Sequence, residues 1–71
     1  MENFKTTMAE ILEVDKISSE DDLDSFDAWD SLTILTIIAY CESDFNVKLS
    51  AEEIDNSETI IGLKELIKSK M

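Results

Sequence analysis

The stretch Asp30–Phe45, DSLTILTIIAYCESDF, decides what kind of fold this chain has. Its middle is rich in β-branched residues, and on propensity alone Leu32 to Tyr40 reads as a strand. Spacing says otherwise. Ile34, Ile38, Cys41 and Phe45 recur at helical intervals, and Leu35 and Ile37 widen the same face. Thr33, Thr36, Tyr40, Ser43 and Asp44 fall together on the opposite side. Asp30 and Ser31 are residues that open helices, because a short side-chain oxygen accepts from a backbone N–H left free in the first turn. With no partner strand in view, a helix from about Ser31 to Asp44 is the expectation.

The rest of the chain reads as helices around this one. Phe4, Met8, Ile11 and Leu12 form one apolar stripe, predicting a first helix near residues 3–13 with Lys5, Glu10 and Glu13 on its far side. Val14 to Asp30 is rich in Asp and Ser and is long for a structureless connection. Val14, Ile17, Leu23, Phe26 and Trp29 are spaced to pin it onto the core. Ser50-Ala51-Glu52-Glu53 is a capping box, in which Ser50 and Glu53 satisfy each other's backbone N–H groups. It opens a short third helix anchored by Ile54 and ended by Asp55-Asn56-Ser57. A fourth helix, near Glu58 to Ser69, turns Ile60, Leu63 and Ile67 inward. Its Lys64, Lys68 and Lys70 lie towards the end where the helix dipole is negative. Gly62 inside it costs about 1 kcal/mol relative to alanine, and the sequence leaves open whether a close helix approach requires it. The expected fold is all-α: a small four-helix bundle of three longer helices and one short one, with a long first loop, forming a single domain over residues 1–71.

Composition narrows the function. Seventeen acidic residues against six basic ones give a net charge of −11. Such a field repels nucleic acid and anionic membrane and draws proteins with basic docking surfaces. Hydrophobic residues at 44% suffice for a packed core despite the charge. There is no histidine, so the usual general base and metal ligand is missing. The single cysteine, Cys41, has no partner for a disulfide or a zinc site and reads as a buried structural thiol. The start, Met1-Glu2-Asn3-Phe4-Lys5, lacks the pattern of a signal peptide, and no stretch reaches the ~20 apolar residues that span a bilayer. The expectation is a soluble, cytoplasmic monomer with neither nucleic-acid nor membrane partners.

Ser31 is the candidate site. It stands between an acidic loop and an apolar helix, where a hydroxyl packs poorly but is open to another protein. Asp30 at its shoulder can orient a partner or a metal-bound cofactor. The competing reading is that Asp30 and Ser31 only cap the helix. The order helix, long loop, helix opening with Asp30-Ser31-Leu32, short helix, final helix resembles the acyl carrier protein family along the chain from Phe4 to Ile67. Leu23 in the acidic loop, Glu42-Ser43-Asp44-Phe45 closing the second helix, Leu49 before the third and Thr59-Ile60 opening the fourth also resemble that family's pattern.

The resemblance implies that a separate phosphopantetheinyl transferase, using coenzyme A and a divalent metal, attaches 4′-phosphopantetheine to Ser31. Asp30 would assist that chemistry, and Leu32 with the helix beyond would form part of the docking surface. The chain would catalyse nothing, holding acyl intermediates as thioesters and delivering them between acyl-loading and acyl-accepting enzymes with basic or mixed docking patches. Ile34, Leu35, Ile38, Ile54, Ile60 and Leu63 would line an interior that opens for an acyl chain. Ala28 stands where many members have glycine, and Trp29 is bulkier than usual in fatty acid synthesis carriers. The helix's outer face, acidic in those carriers, has Thr33, Thr36 and Tyr40 here. These departures point to a specialised carrier.

Two other classes compete. An aminoacyl or peptidyl carrier shares the fold and the serine. An acidic module without covalent cargo, either an adaptor or a divalent-cation binder, would use the crowd of Asp21, Asp22, Asp24, Asp27 and Asp30. The calcium-loop pattern fails, however, since counting from Asp22 it needs glycine at Asp27 and glutamate at Thr33. No metal ligand is therefore assigned.

Overall fold

The stripe of Phe4, Met8 and Leu12 buries itself completely, and the helix that carries it, α1 (Phe4–Ile11), ends as the stripe ends. The computed structural model describes residues 3–71. Beyond α1, Glu13 takes a left-handed conformation with φ 61°, and Val14 N–H reaches back to Ala9 C=O at 2.9 Å. This is the closure that satisfies carbonyls at a helix end, usually made with glycine.

The decisive stretch is helical, as its spacing predicts: α2 runs Ser31–Phe45 and stops where Asn46 adopts φ 56°, ψ 38°. Its buried face differs from the expected one. Ile34, Ile37 and Cys41 are buried, and Ile38 and Phe45 pack on the core from the side. Leu35 is 60% exposed, so it belongs to neither the core nor an interior pocket. Tyr40, expected on the outer side, is half-buried against the core and meets Phe45 edge-on with ring centroids 5.3 Å apart. Burial raises its phenol pKa above the ordinary value, against the opposing hydrogen bond from Thr7. Apolar residues surround much of α2, so spacing alone does not say which edge of a broad stripe faces out. Packing in the shared core chooses Ile37 and Tyr40 over Leu35.

The capping box forms as expected at α3 (Ala51–Ser57): Glu53 N–H donates to Ser50 Oγ at 3.1 Å and Ser50 N–H to Glu53 Oε1 at 3.0 Å. Lys70 Nζ sits 2.9 Å from the other Glu53 oxygen, tying the end of α4 (Ile60–Lys70) to the start of α3. Lys70, and next the Ser50 backbone N–H, hold the Glu53 carboxyl below its usual range. A depressed carboxyl stabilises the fold above the ordinary glutamate range, and that contribution is lost as pH falls through the lowered value.

The long loop is held by more than side chains. Leu23 is buried, with Ile17, Phe26 and Trp29 packed against the core, while Val14 stays at the surface, 38% exposed. A 3₁₀ turn forms at Leu23–Ser25. The unforeseen anchor is backbone. Ile60 N–H donates to Asp21 C=O at 3.0 Å and Ile61 N–H to Ser19 C=O at 2.8 Å. Thr59 Oγ1 takes the Gly62 N–H at 3.1 Å, and Leu63 N–H makes the first bond inside α4, to Thr59 C=O at 2.9 Å. The loop thus serves the donors that a helix start leaves without partners. Its carboxylates also lie near the positive end of the α4 dipole.

The α3–α4 junction is tight and strained. Glu58 has φ 65° and ψ −44°, with Thr59 N–H bonded to Ser57 C=O at 2.7 Å, a γ-turn of the rare positive-φ kind. This brings the Ser57 carbonyl over the first turn of α4, where a Cβ on Gly62 would run into that oxygen and approach Thr59 Oγ1 to 3.2 Å. Gly62 is therefore a close-approach glycine. Gly62→Ala should lower stability by about 1–3 kcal/mol, the cost of overpacking, although alanine is the better helix former. Chemical denaturation checks this, and a stabilised variant would mean that the junction relaxes freely.

Candidate functional site

The start of α2 is built around Asp30. Its backbone is extended, its Oδ1 accepts the Thr33 N–H at 2.8 Å, and its C=O accepts the Ile34 N–H at 3.0 Å. Thr33 Oγ1 in turn donates to Ala28 C=O at 2.6 Å, fastening the end of the loop to the first turn of the helix. The cap is thus the aspartate, and Ser31 is the first residue inside the helix. That outcome separates two roles that the sequence left merged: Asp30 closes the helix, and the Ser31 hydroxyl is not consumed in doing so.

Other serine hydroxyls are engaged locally. Ser25 donates to Asp22 C=O, Ser57 to Glu53 C=O, Ser69 to Leu66 C=O, and Ser50 accepts from Glu53. The exposed Ser31 takes part in none of these bonds. Beside it, the N–H groups of Ser31 and Leu32 precede the first intrahelical bond and face outward at the positive end of the dipole. Such an end suits an anion, and a phosphate above all. A serine hydroxyl is a weak nucleophile without an adjacent base. The chain has no histidine, so the base must arrive with a partner.

Leu32 stands 72% exposed next to the serine, and Leu35 follows one turn on. Sequence reasoning missed the second of these. A usable signal was present: no residue from Ser31 to Cys41 is charged, in a chain where 32% of residues are. Trp29 packs partly on the core, and its other side lines a surface cleft of about 500 Å³ with Asp22, Leu23, Asp24, Asp55, Glu58 and Thr59. None of the residues expected to line an acyl pocket borders this cleft; Ile54, Ile60 and Leu63 are sealed in the core. Among the described residues no three acidic or thiol side chains converge as metal ligands.

Cys41 lies in the core and is wholly inaccessible. Burial, with Asp44 adding to it, pushes its thiol up to about 11. In the folded chain at about pH 8 Cys41 should therefore resist alkylation, since the thiolate is the reactive form. Intact mass after maleimide treatment should show no label until denaturant is added, and rapid native labelling would show that the core opens. The consequence for function is practical: any fast-reacting thiol on the folded protein is one that has been attached to it.

The family model described as "Phosphopantetheine attachment site" matches residues 2–67, nearly the whole chain. Searches of curated proteins and of solved structures give no significant match. In the matched family the cofactor is 4′-phosphopantetheine, held covalently. The start of α2 fits such a group on its own chemistry, with an accessible hydroxyl to esterify and unpaired N–H donors beside it for the phosphate.

Proposed function

The chain belongs to the phosphopantetheine-attachment carrier family, and on that premise we propose that Ser31 is its attachment residue and that residues 1–71 act as a single acyl carrier domain. The observation that carries this is the division of labour at the helix start: Asp30 makes the cap bond, which leaves an exposed Ser31 hydroxyl at the anion-favouring end of α2. When bound, the arm supplies a terminal thiol on which cargo is held as a thioester. Ser31 Oγ provides the ester oxygen. The N–H groups of Ser31 and Leu32 stabilise the phosphodiester charge. Asp30 keeps the first turn rigid through Oδ1 and offers its second oxygen to the metal that the transferase brings.

In this reading the protein is not itself a catalyst. It works as a soluble cytoplasmic monomer, kept dispersed by its charge of −11. Its partners are a phosphopantetheinyl transferase and dedicated acyl-loading and acyl-accepting enzymes. Acyl cargo is preferred over aminoacyl or peptidyl cargo on the acidic balance of the chain. The departures at Ala28 and Trp29 and the uncharged outer face of α2 support a specialised pathway over general fatty acid synthesis.

The test is incubation with coenzyme A, magnesium and a phosphopantetheinyl transferase, followed by intact-mass and peptide analysis. One adduct on the peptide containing Ser31 is expected. An unmodified chain, or an adduct on another serine, would overturn the assignment. Intact mass of the protein isolated from its native host, with the thioester preserved, identifies the cargo.

A further inference from the structure

Thr33 bonds back to the chain before it in two ways that differ in kind. Its backbone N–H donates to Asp30 Oδ1 at 2.8 Å, the ordinary cap bond. Its hydroxyl donates to Ala28 C=O at 2.6 Å, five residues back. A helical threonine hydroxyl normally reaches the carbonyl three or four residues back, as Thr36 reaches Leu32 at 3.0 Å. The Thr33 bond therefore leaves the helix and crosses the cap. It closes a ring of chain from Ala28 to Thr33 with Asp30 and Ser31 inside it. The loop side of that ring is firm. Trp29 N–H donates to Phe26 C=O at 3.0 Å, and the side chains of Phe26 and Trp29 both pack against the core.

Ser31 needs such a tie. The N–H groups of Ser31 and Leu32 have no intrahelical partner, and helix ends open locally at little cost. The first turn is otherwise fastened through Asp30, by the bonds from Thr33 N–H and from Ile34 N–H. In the loading reaction Asp30 has a second duty, since its other oxygen is offered to the transferase's metal. A carboxylate drawn towards a metal holds its N–H partner less firmly. The hydroxyl bond does not depend on that carboxylate, and it is part-buried, so water replaces it poorly. We infer that Thr33 is a positioning residue for loading: its hydroxyl fixes Ser31 Oγ and the Asp30 carboxylate relative to each other during the transfer. This rests on the carrier reading of Ser31. In that step Ser31 Oγ bonds to the pantetheine phosphorus and the bond between the two phosphates of coenzyme A breaks. Adenosine 3′,5′-bisphosphate leaves, and the hydroxyl proton passes to a base on the transferase. Thr33 touches none of these atoms. It acts by alignment, where a misplacement of about 1 Å costs on the order of 100-fold in rate.

Thr33→Val keeps the branched shape and the backbone N–H but removes the hydroxyl, and Thr33→Ser keeps the hydroxyl but removes the methyl. Each is loaded from coenzyme A, with magnesium and an excess of a phosphopantetheinyl transferase that loads the wild-type chain. Intact mass follows the single-turnover rate as transferase concentration is varied. Thr33→Val should lose about tenfold in rate at saturating transferase, with its half-saturating concentration within about twofold of wild type, the pattern of lost alignment and not of a lost contact. Amide hydrogen exchange at Thr33 and Ile34 should quicken in the same variant, while its overall helical signal stays that of wild type. Thr33→Ser should restore both the rate and the exchange. The inference falls if Thr33→Val loads at the wild-type rate once transferase saturates, because the hydroxyl would then only brace the fold. It also falls if the whole defect lies in the half-saturating concentration, which marks a direct contact with the transferase, or if Thr33→Ser is as slow as Thr33→Val. A wild-type chain that accepts no adduct from any transferase overturns the carrier reading itself, a result distinct from these.

Discussion

Ser31→Ala protein, treated with coenzyme A, magnesium and a transferase, should keep its unmodified mass while the wild-type chain is converted. The loss is expected to be complete, because it removes the atom that forms the bond. Fold should not change: Ser31 is exposed and the cap is made by Asp30, whose bond to Thr33 the substitution leaves in place. Asp30→Ala gives the complementary result. It should cost about 0.5–2 kcal/mol of stability as a lost helix cap and slow loading without abolishing it. An adduct on Ser31→Ala protein would mean that another serine is used, and peptide mapping would find it. Equal loading of wild-type and Asp30→Ala proteins would reduce the aspartate to a structural cap. An acidic adaptor that works through charge alone would be untouched by the serine change, so the same variant separates that class from a carrier.

What could be read from the chain beforehand was whatever depends on neighbours in sequence. The Ser50–Glu53 box, the stripe of Phe4, Met8 and Leu12, and the helical spacing of Ile34 and Cys41 are local patterns, and each appears in the structure where the pattern places it. Contacts between distant segments were not legible. No local signal announces that the carbonyls of Ser19 and Asp21 would serve the start of α4, or that Glu58 would accept a positive φ to let them do so. Gly62 could be noticed but not explained until the Ser57 carbonyl was in place above it. Leu35 shows a different failure. Its apolar character is correctly read, but an apolar residue at the edge of a broad stripe serves the core or a partner equally well, and only packing decides. At the candidate site, the motif Asp30-Ser31-Leu32 marked the start of α2, and geometry added which of its first two residues is spent on the cap.

Ile54→Ala should damage the scaffold severely, lowering the melting temperature by upward of about 10 °C. Ile54 is wholly buried and is the one core residue that α3 contributes. A helix of seven residues has no stability of its own in water. It persists through the Ser50 box, the Glu53–Lys70 pair and Ile54, and these are unequal. Both pair members are more than a third exposed, and an exposed ion pair contributes little. Removing a buried isoleucine costs about 2–5 kcal/mol. A domain of this size has roughly 4–11 kcal/mol in all, at about 0.05–0.15 per residue. The effect should spread beyond α3, because its last carbonyl packs over Gly62 and the Glu58 carbonyl holds Leu23 of the acidic loop. Hydrogen exchange should therefore quicken in the loop near Leu23 and at the start of α4. Lys70→Ala is the control, expected within about 0.5 kcal/mol of wild type. If Ile54→Ala proves no worse than Lys70→Ala, polar contacts and not the core hold α3 in place. Below its own melting point the Ile54→Ala chain should still be loaded at Ser31, since the Asp30 cap bond to Thr33 is local to the start of α2.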